Sequence, residues 1–518
     1  VAFQGHSVEW QLGSLGMDSR RSTTRLTPGA FTLIENADFT VDTLKKRGGN
    51  VPYNATPASG SPRIVGMGDF WIGGTTQKFL VATGDGKLYV ADGGAISTTY
   101  KTGLGTNKLT HFTQAFDYTV GLLDKAFSYN GFNAVQVYDG SGVADLATPP
   151  ADWGGNNQPK FGLQGHVLRH WAFGNANRPS FLYYSATNNP TNFTAMGSGF
   201  FDVYGQPITG LGEHLTRLFV FSENRIFYVD TSAFDTAAWK IIPLDAGGGT
   251  RSTYSVLNIP NDLLFMGLDG GIRSLVAVQT FGDFTQADVS GPWLRDWINA
   301  HVNLNALEGV RAMYDPIKRV VFYAVPIDSS DTNNALIKGA LPTLQNPEEG
   351  IRWSVDTSVR PCSFLMRKEG GTLRPYYGDY AGKIHAMDQV NLNDDGAGYT
   401  VRALSGDHNL GLPKVKKIFR SAEIIFRPQG GYNAEFDYYI DFAFRRTVQF
   451  RLDGQGETLD EFELDEDELA ESGMATARIP LTGHGEFFKF ELRQAGLNQG
   501  FEAETVRINF GAPAGYGA

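Results

Sequence analysis

The chain has 518 residues, too many for one ordinary hydrophobic core, so two or more domains or one large closed β architecture are expected. Charged residues make up only 19% and aromatic residues 13%, with 62 glycines, which excludes a disordered chain or a coiled coil and fits many short strands joined by tight turns. The net charge of −11 argues against a wrapped, phosphate-neutralising complex with DNA, and the single cysteine excludes an internal disulfide framework and a cysteine-rich zinc site.

Taken in chain order, the first residues lack the basic start and apolar core of a secretory signal, and no apolar run approaches the ~20 residues of a membrane span. The expectation is a soluble chain kept where thiols stay reduced. Residues 1–50 read as an arm and a closing strand. The arm, with Arg20, Arg21 and Arg25, is expected to order against a neighbouring copy. The strand 31–40 is expected to complete the last unit of a ring, and Lys45-Lys46-Arg47 form a basic turn.

Residues 51–400 repeat a turn followed by alternating apolar and polar residues. Asp85-Gly86 precedes Leu88-Tyr89-Val90, Asn224 precedes Ile226-Phe227-Tyr228, Gly270 precedes Ile272, and Gly382 precedes Ile384. Gly and Asn supply the positive φ of a tight hairpin, and β-branched and aromatic residues supply the strand. Leu88, Val135, Leu182, Ile226, Ile272, Val321 and Ile384 as anchors are 47, 47, 44, 46, 49 and 63 residues apart. A period of ~40–50 residues with about four strands per unit is that of β-propeller blades. Seven blades are expected, with six as the alternative. The long last interval is assigned to a polar protruding loop at 328–349. One helix is expected from Pro292, with Trp293, Leu294, Trp297, Ile298 and His301 on one face, capping a blade.

Residues 401–518 change pattern and suit a β-sandwich-like domain reached through a linker at 405–412. Phe436, Tyr438, Ile440, Phe442 and Phe444 alternate with polar residues as one half-buried strand. Phe488, Phe490 and Leu492, and Val506, Ile508 and Phe510, repeat this. Lys414, Lys416, Lys417, Arg420, Arg445 and Arg446 are basic. The run at 457–471 holds nine acidic residues, read as a solvated edge or, alternatively, as facing a basic surface of a neighbouring subunit or a channel carrying DNA.

No catalytic, cofactor-binding or metal-binding residue is assigned, and no cofactor is expected. His166 and His170 suit a metal only on a helix, and their surroundings read as strand, where that spacing is ~13 Å. Asn391 to Gly396 imitates the start of a calcium loop, but Arg402 stands where the bidentate Glu belongs, so a turn is expected. Gly247-Gly248-Gly249-Thr250 lacks the lysine of a phosphate loop, and no nucleophile elbow occurs. Cys362 reads as a small buried hydrophobe. Trp153, Trp171 and Trp239 read as core, with exposed binding aromatics as the other possibility.

Gly16-Met17-Asp18-Ser19, Leu26-Thr27-Pro28-Gly29, Glu35-Asn36-Ala37-Asp38-Phe39 and Lys45-Lys46-Arg47-Gly48-Gly49 resemble the opening of short-tailed phage tail-hub proteins, also called tail nozzle or packaged-DNA stabilisation proteins. Gly48 stands where the family often has proline. The segments from Arg178 to Phe193 and from Leu264 to Leu275 are similar to that family too. The resemblance implies a non-enzymatic virion tail protein, assembled in the host cytoplasm as a homo-oligomeric, hexameric ring. That ring would extend the portal channel, contact the portal adaptor and a tail fibre or tailspike, and retain and conduct double-stranded DNA without reading its sequence. The alternatives are a receptor- or carbohydrate-binding propeller adhesin, and a polysaccharide-acting propeller enzyme.

Overall fold

The structure, a computed structural model, describes residues 3–40, 42–117, 123–244, 247–275, 287–342, 350–453 and 473–513. It is a β-propeller joined to a two-sheet sandwich. Six four-stranded sheets stand as separate blades, built from residues 64–101, 111–145, 161–202, 210–244, 257–288 and 363–389, the last with one strand from the N-terminal part. The blades number six, the alternative, rather than the expected seven. The unit around Val321 is a four-stranded meander as well, Arg311–Asp315, Val320–Val325, Ala335–Ala340 and Arg352–Asp356, but it opens a ten-stranded sheet. Its first strand packs between Leu257–Ile259 and Ser363–Glu369.

Local chemistry builds the blades as expected. In the first, Thr83 Oγ1 donates to Asp85, and Gly86 takes φ 79° where a Cβ would collide with the Leu104 carbonyl, so the chain reverses into Lys87–Asp92. The loop expected at 328–349 is corrected: it contains Ala335–Ala340, whose Leu336 and Ile337 are fully buried between two strands. Ile337, 47 residues before Ile384, is the true counterpart of the other anchors; Val321 lies on the preceding strand. The extra length precedes this unit, as helix α1 (Gly291–His301) and the short 3-10 helix Leu304–Gly309. Helix α1 carries Pro292 in its first turn as expected and buries Leu294, Trp297 and Ile298.

The ring closes differently from the expectation. Gly49–Pro52, not 31–40, pairs with Ile384–Gln389 to complete the last blade. Ala30–Glu35 instead pairs with Val401–Ser405 and touches the meander at Glu35–Val355. It thereby bridges propeller and sandwich within the ten-stranded sheet, which continues through Phe488–Gln494, Gly430–Ile440 and Ala443–Leu452. The seven-stranded sheet opposite runs Ala475–Pro480, Lys417–Phe426, Glu502–Pro513, Leu44–Lys46 and Ala37–Phe39. Phe3–Gln11 lies along Glu502–Pro513 in unbroken register. The two sheets enclose Trp10, Phe31, Phe436, Phe490 and Ile508.

Three further expectations are corrected. The arm orders on its own chain: Phe3–Gln11 is paired, Asp18 is fully buried and accepts from the Arg20 and Arg21 amides, and Ser19 bonds to helix α1 at Trp293 and Trp297. The stretch 405–412 is not a free linker, because Ser405, Asp407, His408, Leu410 and Leu412 are buried. The strand through Phe444 is two strands, because Asp441 and Phe442 take φ 51° and 67° in a hairpin turn, which leaves Phe442 and Phe444 exposed. The acidic run 457–471 lies outside the described residues.

Candidate functional site

None of the sequence candidates forms a catalytic or metal constellation. The surroundings of the two histidines are strand, as expected, Phe161–Gln164 and His170–Phe173; between these strands His166 opens a 3-10 turn in which Val167 and Leu168 adopt positive φ. His166 bonds Glu213 and Thr231, whereas His170 bonds the Tyr129 hydroxyl at 2.8 Å. No group of three or more His, Cys, Asp or Glu suited to a metal occurs among the described residues. Cys362 is buried, and burial raises its thiol pKa. Trp153, Trp171 and Trp239 are core residues. Gly249 packs against the Ser222 carbonyl, a turn contact.

The turn that imitates a calcium loop serves another purpose. Asp394 accepts from Arg47 at 2.5 Å and from the Asn50 side chain at 2.6 Å. Arg47 also meets Asp356 at 3.5 Å and lies 3.9 Å over the Tyr399 ring. The basic cluster read as a turn is largely interior: Lys46 and Arg47 are buried, with Lys46 Nζ donating to Gln494 Oε1 and the Gly496 carbonyl. Burial, assisted by Arg47, pushes Lys46 down to about 8. Burial alone would lower Arg47, but Asp356 and Asp394 hold it above its ordinary value. Lys338 completes the lattice at 2.7 Å from Asp38 and 3.0 Å from Asp356. Burial would raise the Asp38 carboxyl, yet Lys338 and Lys318 hold it down at about 2. These pairs tie the arm, the meander and the last blade together.

Two of the concavities lie at the centre of the propeller and at its junction with the arm. The first lies on the propeller axis, about 500 Å³, between the innermost strands. Its wall includes Phe112, Phe161, Tyr254 and Met366, with one buried cation, Arg311, 4.0 Å over the Tyr254 ring and donating to the Cys362 carbonyl. His111 stacks on Phe161 at 3.9 Å, and burial pushes it down to about 4. Among the described residues no carboxylate lines this wall.

The second is a cleft of about 320 Å³ where the arm, the meander and the last blade meet. Lys45, Arg47, Lys318, Arg319, Lys338 and Arg352 line it with three carboxylates, Asp38, Asp356 and Asp388, over an apolar floor that includes Phe39, Phe322 and Met387. Sequence reasoning found Lys45 and Arg47 but missed the other four cations. They sit on strands or turns of the meander, and only its fold brings them to the arm.

No protein-family model matches this sequence, and no curated protein matches it. Among solved structures, the chain is similar to BBS1N in its complex with ARL6DN (10% identity, TM-score 0.42, covering 66% of this chain and 97% of that one). It is similar also to YCF48 bound to D1 peptide (10% identity, TM-score 0.39, 68% and 97%). A third is the exo-beta-1,3-galactanase of Phanerochaete chrysosporium with beta-1,3-galactotriose (9% identity, TM-score 0.28, 97% and 100%). The β-propeller fold of this chain rests on its own strand order.

Proposed function

We propose that the chain is a structural subunit of a short-tailed phage tail, a hub or nozzle protein whose copies form a ring beneath the portal adaptor. The observation that carries the reading is the unequal distribution of exposed apolar side chains between the two ends of the propeller. One end holds the turns between first and second and between third and fourth strands. There Leu123, Leu168, Leu215, Ile317, Met196 and Phe234 are exposed. At the other end, among the described residues, only Tyr204 and Leu304 are large, apolar and exposed. Apolar patches gathered on one face mark contact surfaces, and a rigid disc with one adhesive face suits stacking in a closed assembly. The axial cavity is far too small for duplex DNA, so a DNA passage would lie between copies.

The test is cryo-electron microscopy of the native particle, with native mass spectrometry of the purified chain. A ring of about six copies around an open axis is expected. Isolated propellers at fibre tips, or a monomer with an occupied pocket, would replace this reading with the adhesin or the enzyme. Leu215→Asp with Ile317→Asp should leave the monomer folded and prevent its docking in the tail.

A further inference from the structure

The cleft at the junction carries an excess of positive charge on an acidic protein. Six cations face three carboxylates there, whereas the whole chain carries −11. The carboxylates are already engaged: Asp38 with Lys338, Asp356 with Lys338 and Arg47, and Asp388 with Lys318. Among the described residues Lys45 and Arg319 form no ion pair, although the Lys45 charge helps to hold the neighbouring Asp38 carboxyl down, and Arg319 Nε is buried with no hydrogen-bond partner while its terminal nitrogen donates to the Pro342 carbonyl. Lys318 has a lowered pKa, first from burial and then from the neighbouring charges of Lys45 and Lys338, so an anion here would relieve repulsion already present. The floor is apolar, with Phe39, Val320, Phe322, Leu341, Val359 and Met387. Simple anions have no use for such a floor; a ligand with carboxylates beside apolar side chains does.

The chain itself carries a segment of this chemistry. In 457–471 nine carboxylates are interleaved with Leu459, Phe462, Leu464 and Leu469. We propose that the cleft binds an acidic peptide with interleaved apolar side chains, and that its occupant is the 457–471 segment of a second copy of this chain. The choice of a second copy rests on the ring assembly proposed above; the chemistry of the cleft does not. An Asp or Glu side chain would seat against Lys45 and Arg319, and a neighbouring Phe or Leu would cover the apolar floor. A contact of this kind is heterologous, with different surfaces on the two copies, as a ring requires.

The experiment titrates a fluorescent peptide of residues 457–471 into the full-length protein. A parallel titration uses a full-length variant in which the nine carboxylates of the run are replaced by amides, so that its own segment does not compete. Saturable binding to the amide variant, weakening as salt rises, is expected. Lys45→Gln with Arg319→Gln should reduce the affinity roughly tenfold or more at a nearly unchanged melting temperature. Lys368→Gln, on a hairpin of the last blade, should leave it unchanged. Failure of the peptide to bind either protein overturns the proposal. So does equal binding of a peptide with all nine carboxylates amidated, or complete displacement by citrate or phosphate at equal concentration. The oligomeric state of the amide variant decides the occupant: loss of the ring supports the second copy, and an intact ring overturns it. Charge-dependent peptide binding by a wild-type protein that never forms a ring keeps the cleft and removes the tail reading.

Discussion

The blades and the sandwich are both antiparallel β-structure, yet they are specified in opposite ways. In the blades, apart from the closing strand Gly49–Pro52, each strand pairs with its neighbour in the chain, as in Ile64–Ile72, Thr76–Thr83, Lys87–Asp92 and Ala95–Lys101, and short turns set the register. In the sandwich Phe3–Gln11 pairs with Glu502–Pro513, and Ala30–Glu35 with Val401–Ser405. One region is a series of local solutions; the other comes together only when the chain ends meet across the completed ring. At the junction, buried ion pairs rather than turns hold the parts of the chain together.

The junction offers the most damaging way to break that contrast. Arg47→Ala leaves Asp356 and Asp394 without their guanidinium in a buried setting, and should cost roughly 3–5 kcal/mol in urea unfolding, with Asp394→Asn in the same chain recovering part of it. Next is acid. Burial pushes His111 down to about 4, His170 to about 3 and His408 to about 4. All three folded values lie below the ordinary histidine value, so the unfolded chain binds more protons in between. Their stabilising contribution is complete above about pH 6.5 and is lost as pH falls through the folded values. For His111 this amounts to about 3 kcal/mol, and His111→Phe should flatten the unfolding midpoint between pH 6.5 and 4. A smaller loss is expected within a blade: Gly86→Ala forces a side chain into positive φ and into the Leu104 carbonyl, costing about 1–3 kcal/mol without altering the sandwich by circular dichroism or proteolysis. The smallest effect on stability belongs to the exposed face. Ile317→Ser should shift unfolding by no more than about 0.5 kcal/mol, and a larger shift would mean that Ile317 packs within the monomer.

Turn chemistry made the third strands of three blades readable: Gly86, Gly270 and Gly382 all take the positive φ that their positions suggested, and each precedes a strand, whereas Asn224 precedes its strand without positive φ. The same reasoning failed where a strand lacked that punctuation. Ala335–Ala340 follows Asn333-Asn334 amid polar residues and looked like loop, although its neighbours bury it on both sides. Phe442 and Phe444 continued a perfect alternation, and only the positive φ of Asp441 and Phe442 turns the chain there. The basic cluster misled for a related reason. Lysine and arginine are usually exposed, and nothing adjacent to Arg47 announces that Asp356, Asp394 and Tyr399 will surround it.

The sequence by itself determined the β class, the period of the propeller, the start of helix α1 and the buried character of the tryptophans and Cys362, because these follow from residue preferences acting over a few positions. Tertiary structure alone decided that Gly49–Pro52 closes the ring, that Ala30–Glu35 fuses the meander to the sandwich, and that six cations converge on one cleft. Those outcomes depend on pairings between segments hundreds of residues apart. Such pairings are selected by which edges remain open and which charges remain unpaired once the blades have formed, and no local pattern encodes either.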